Sequence, residues 1–165
     1  MNEKEYETFK KDYKEGKVKL SVNLAKARQI LLMEIKFIPA ILLHFFIYII
    51  VFACCIYSFF VFKWFGILYS ILFIILWFSY MGMCSVSKEK SKAIYVVWAG
   101  IVLIIACIFV VDFHIALLIG LSFLALFLTY YLYHFSAKIL LNYFILEDLN
   151  YFNKWNNDVF SIILK

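Results

Sequence analysis

The chain has 165 residues and carries 16 Lys and Arg against 11 Asp and Glu, a formal net charge of +5. Two thirds of it is apolar (66%), 21% is aromatic and only 16% is charged, against roughly 25% charged in a soluble domain. These figures exclude a soluble globular enzyme, a disordered tail and a secreted disulfide scaffold, and they predict an all-α polytopic membrane protein.

Residues 1–36 hold nine of the sixteen basic residues and six acids. They read as a cytoplasmic, basic, amphipathic segment. Tyr6, Phe9 and Tyr13 share one face at helical spacing, and Gly16 ends that pattern. Ser21 is the expected cap of a second helix, in which Leu20, Leu24, Ala27 and Leu31 line one face beside Lys17, Lys19, Lys26 and Arg28. A basic amphipathic helix next to a first span is expected to lie on the anionic inner leaflet. Packing on the C-terminal segment is the alternative. Six acids dilute the nine cations, so no nucleic-acid partner is expected. No short apolar stretch precedes a small-residue cleavage site, so the first span is expected to act as its own insertion signal.

Residues 37–135 form the expected transmembrane domain. Four apolar runs, at about 38–62, 65–84, 93–111 and 115–135, match the ~20 residues that a hydrocarbon core of ~30 Å requires. Short connections predict two antiparallel hairpins. Fifteen basic residues fall on one side of this arrangement and Lys63 alone on the other. The positive-inside rule then puts both termini in the cytoplasm. Richness in Lys, Ile, Phe, Tyr and Asn fits an AT-rich bacterial source, hence a bacterial cytoplasmic (inner) membrane.

Few groups inside the spans carry chemistry. His44 and His134 are the intramembrane polar candidates, each expected to hydrogen-bond a neighbour or sit in the wet interface. Ala116 with Gly120, and Ala125 with Thr129, are small-residue pairs expected to pack the fourth span on Ala99, Gly100 and Ala106 of the third. Cys54, Cys55, Cys84 and Cys107 form no CxxC pair. Cys84 with His44 and His134 is the one conceivable thiol–imidazole set. Asp112 stands without a second intramembrane carboxylate, which two-carboxylate chemistry needs. Phosphate-loop, dinucleotide and EF-hand patterns are missing from the sequence, so no cofactor and no metal are expected.

Residues 136–165 read as a cytoplasmic amphipathic helix. Ile145, Leu149, Phe152, Asn156, Val159 and Ile163 recur at alternating spacings of four and three. That is a heptad seam with one polar member, of the kind that fixes register. It predicts a helix–helix contact with a second copy or a protein partner, with lying flat on the membrane as the competitor.

Together these features predict a non-enzymatic membrane subunit, a scaffold or anchor that self-assembles or recruits a cytoplasmic partner through its terminal helices. Accessory, immunity and phage-defence membrane components have this general shape. The alternative is a homo-oligomeric pore, whose polar face must come from Ser58, Ser70, Ser79, Ser122, Thr129 and His44.

Overall fold

A computed structural model of the chain describes residues 1–85, 95, 98–102 and 112–164. Helix α1 spans Glu3–Lys14 and starts at a capping box. The Asn2 side chain accepts from the Glu5 amide, and the Glu5 carboxylate accepts from the Asn2 amide, both at 2.9 Å. This satisfies two amides that a helix start leaves unpaired. Gly16, at φ +72°, turns the chain into strand β1, Val18–Val22.

The expected second helix begins later than predicted. α2 spans Leu24–Gln29, and its cap is Asn23, which accepts from the Lys26 amide at 3.1 Å. Ser21 and Leu20 lie in β1 instead. Alternating β-branched and long apolar residues outweigh the short helical pattern there. A π-turn over Ile30–Glu34 carries the helix to the membrane domain.

Among the described residues, three helices are long and apolar enough to cross a membrane: Ile38–Phe62, Phe65–Ser85 and Phe113–Ile145. The first is α3, with Pro39 in its first turn, where no amide is missed. The second is α4. The third comprises α5, Phe113–Leu140, and a π-turn over Leu141–Ile145. The predicted 93–111 run lies outside the described residues, apart from residue 95 and residues 98–102, which are helical. Ala106 and Cys107 fall in the part that is not described.

Side-chain pairs set the helix directions. Tyr57 bonds His114 at 2.7 Å, and the Phe37 and Phe135 rings lie 6.3 Å apart, so α3 and α5 are antiparallel. Tyr69 bonds Ser122 at 2.7 Å and Trp77 bonds Thr129 at 3.0 Å, so α4 and α5 run parallel. The buried face of α5 includes Leu118, Ser122, Ala125, Thr129, Leu132, Ser136 and Leu140. Those positions recur every three or four residues, which is one helix face. The opposite faces expose Phe52, Phe60, Leu68 and Phe78 by half or more, a surface suited to lipid.

The C-terminal segment departs from expectation. One amphipathic helix over 136–165 is not what forms. α5 continues to Leu140, a separate α6 covers Leu149–Trp155, and β2 covers Phe160–Leu164. The break falls at Asn156, Asn157 and Asp158, three turn formers in succession. Asn156 caps α6 with extended backbone, and Asn157 adopts a left-handed φ of +66°. β2 then pairs antiparallel with β1, Val18 opposite Leu164 and Val22 opposite Phe160.

Candidate functional site

The two terminal segments fold together into one cap at the end of the bundle where α5 finishes. Phe152 is at its centre, fully buried. Rings of Phe9 and Phe160 each lie 5.0 Å from it and that of Tyr6 lies 5.4 Å away, all edge-on, a favourable aromatic geometry. Tyr151 stacks on Trp155 at 4.9 Å. Lys26 pairs with Asp158, and Lys154 with Glu34 at 3.1 Å. These exposed pairs contribute at most about 1 kcal/mol each, so burial of the aromatics dominates.

The heptad candidates are therefore distributed over four elements. Ile145 ends the π-turn, Leu149 and Phe152 lie in α6, Asn156 caps it, Val159 is in the turn and Ile163 is in β2. Ile145, Phe152 and Val159 are buried within the chain itself, whereas Ile163 is exposed. The π-turn, α6 and the following turn each bury one of these residues, Ile145, Phe152 and Val159, inside the chain. The stripe on residues 1–36 behaves likewise: Tyr6, Phe9, Leu24, Ala27 and Leu31 are all buried, facing the protein rather than a leaflet.

One hydrogen bond ties the cap to the bundle. The Tyr6 hydroxyl donates to the carbonyl of Ile145 at 2.8 Å, across 139 residues of sequence. That carbonyl lies at a helix end, where acceptors lack intrahelical partners. Burial, helped by the nearby Glu147, Glu7 and Asp148 carboxylates, pushes the Tyr6 hydroxyl up to about 12. The folded cap thus holds the proton more tightly than the unfolded chain. Its contribution is present in full below about pH 10 and is lost as pH rises through about 12. Tyr6→Phe is expected to cost about 1–3 kcal/mol, because the buried carbonyl loses its donor. Cap melting followed by tryptophan fluorescence from neutral pH to pH 12 checks both: the wild type should weaken above pH 10, and the variant should show a flatter profile.

A second polar feature runs through the bundle. The Ser58 and Ser70 hydroxyls lie 2.9 Å apart, and each is within hydrogen-bonding distance of the Gly66 carbonyl, at 3.0 and 2.8 Å, so their two protons are shared over this cluster. Tyr69 with Ser122, and Trp77 with Thr129, continue the line toward the cap. Ser122 and Thr129 also donate to the carbonyls of Leu118 and Ala125. The small-residue candidates divide. Ala125 and Thr129 are buried in this seam, whereas Ala116 and Gly120 are only partly covered, and a Cβ on Gly120 would meet nothing within 4 Å. Gly100 lies against the Phe123 ring of α5, which brings a residue of the third run to the fourth.

The histidines separate. His44 packs edge-on against Tyr48 at 4.7 Å, and His134 lies 4.2 Å from the Tyr130 ring with a buried, unpartnered Nε2. Cys84 is fully buried, and its hydrogen bond goes to Tyr80 rather than to an imidazole. At the other end of the bundle, the Tyr57–His114 pair and Asp112 line a cavity of about 440 Å³. Asp112 Oδ1 there accepts from the backbone amide of His114. Among the described residues, no group of three or more His, Cys, Asp or Glu comes together to hold a metal ion.

Sequence reasoning missed three features of the cap: the Asn2–Glu5 box, the β1–β2 pairing and the Asn156–Asp158 turn. The first and third carried local signals, a capping box and a run of turn residues. The second carried only short alternation, with its partner strand about 140 residues away in the sequence. Compared with protein-family models, curated proteins and solved structures, the chain matches none.

Proposed function

We propose that the protein is a non-enzymatic membrane subunit, a scaffold or anchor of a bacterial cytoplasmic membrane, acting through the cap its terminal segments build. The observation that carries this reading is the cap itself. A domain of long apolar helices supports a folded module on one end, and that module is where a second copy or a soluble partner docks.

The topology supports four crossings with both termini in the cytoplasm. β1 precedes the first span and β2 follows the last, and their pairing holds both on one side. A chain with both flanks on one side crosses an even number of times. The parallel pairing of α4 and α5 points the same way. Ser85 lies at the cap end and Phe113 at the opposite end, which supports the expected fourth crossing between them. The cap end also holds most of the basic residues, which suits the inner face.

The pore reading is less well supported. Of its six candidate lining residues, Ser58, Ser70, Ser122 and Thr129 hydrogen-bond between or within the packed helices, and Ser79 bonds the carbonyl of Ile75 in its own helix.

The test is the native mass after gentle solubilisation from the host membrane. A multiple of 19.6 kDa supports self-assembly, and a mass that demands a second protein supports an anchor. A lone monomer overturns the proposal. Overexpression that depolarises cells would favour the pore instead.

A further inference from the structure

We propose that Arg28 holds the phosphate of an anionic phospholipid at the membrane boundary. The inference needs only the membrane character of the long helices, not the scaffold reading. Arg28 is the one arginine among sixteen basic residues. Its guanidinium lies over the ring of Tyr133 on α5, 4.8 Å from the centroid. The depth of that ring is set by its neighbours. Phe37, one residue before α3 begins, packs on Phe135 at 6.3 Å, so Tyr133 stands level with the first turn of α3, where the apolar runs end.

Arg28 is unpaired there. Among the described residues, salt bridges are made by Lys10, Lys17, Lys26 and Lys154, and none by Arg28. Its Nε is buried and has no hydrogen-bond partner. The aromatic face beneath it attracts the charge but accepts no N–H bond in the guanidinium plane. Ser136 lies three residues beyond Tyr133, fully buried, and its hydroxyl is likewise without a partner. A buried N–H donor without an acceptor is disfavoured, so the Arg28 Nε lacks the partner it needs.

An anion supplied from outside resolves this. Phosphate matches the planar fork of arginine, which lysine cannot reproduce. Phospholipid headgroups occupy this depth. The exposed Ile38, Leu42 and Phe45 on the first turns of α3 offer an apolar surface for acyl chains, which free phosphate cannot use.

The experiment is a native mass-spectrometry titration of the full chain in neutral detergent. The probes are phosphatidylglycerol, phosphatidylcholine and inorganic phosphate, each alone and in competition. The wild type is expected to retain one phosphatidylglycerol about tenfold more tightly than phosphatidylcholine. Arg28→Gln should abolish that preference, and Lys19→Gln, at an exposed position in β1, should keep it. Arg28→Lys preserves the charge without the fork, and it reads the same contact if the Gln variant does not fold; it should lose most of the preference. An unchanged preference in the folded Gln variant, or in the Lys variant if Gln does not fold, overturns the proposal. So does inorganic phosphate that binds as tightly as the lipid, which would make the ligand a soluble anion.

Discussion

Replacing Phe152 by Ala is expected to open the cap while the three long helices stay folded. Phe152 is fully buried and touched by the rings of Tyr6, Phe9 and Phe160. Truncating a buried Phe costs about 3–5 kcal/mol, from lost transfer energy and the cavity left behind. The cap has little else to draw on. A two-stranded sheet is marginal alone, and so is a twelve-residue helix in water. Limited trypsin digestion checks the outcome. The wild type should resist cleavage at Lys19, inside β1, and the variant should be cut there, with the helical circular-dichroism signal largely kept. Equal resistance in both proteins would show that the cap stands without its aromatic centre.

The second large effect is expected at Gly66, where α3 and α4 meet. A Cβ there would fall 2.6 Å from the Phe59 Cα and collide with the carbonyl oxygen of Ser58. Both obstacles are backbone, so no rotamer change relieves them. Gly66→Ala must push the helices apart. It also disturbs the Gly66 carbonyl that receives the Ser58 and Ser70 hydroxyls. Overpacking of this kind costs about 1–3 kcal/mol and occasionally more; with the hydrogen bonds disturbed as well, the top of that range is expected. Gly120→Ala is the matched control. It has open space at the Cβ, and alanine gains up to about 1 kcal/mol over glycine inside a helix. Thermal unfolding in detergent should separate the two by several degrees in opposite directions. Equal melting temperatures would mean that the α3–α4 contact adds little to stability.

The membrane domain was legible in the sequence wherever a property is additive along the chain. α3 covers Ile38–Phe62, the bounds expected from its apolar run, and α4 extends the second run by one residue. α5 was underestimated at both ends. Its start is set by the Asp112 cap, and past Phe135 it continues through Ser136 and Lys138. Hydropathy registers where lipid ends, not where a helix ends, so the polar extension was invisible to it.

The cap was hidden for a different reason. Its residues were singled out correctly as apolar and periodic, yet the period was assigned to one helix. Asn156 fitted a heptad position that specifies register, and that outweighed two turn-forming neighbours. What decided the outcome was the pairing of β1 with β2, a contact that local pattern cannot report. Arg28 was read as one more cation near a leaflet. Its buried Nε without a partner, over the Tyr133 ring, distinguishes it from the lysines. The seam in the bundle was half visible: Ala125 and Thr129 belong to it, but the aromatic donors Tyr69 and Trp77 look like any other apolar-span residue until the helices are docked.

The cap has a temporal side. β2 is synthesised roughly 140 residues after the strand it pairs with, and at about 5–20 residues per second that delay is on the order of 10 s. During that interval Tyr6, Phe9 and Val18 have no aromatic centre to cover them, whatever the membrane helices are doing. A ribosome that stalls before Phe152 leaves an apolar N-terminal segment uncovered at the membrane surface. Closure of the cap therefore marks a chain whose late segment has arrived.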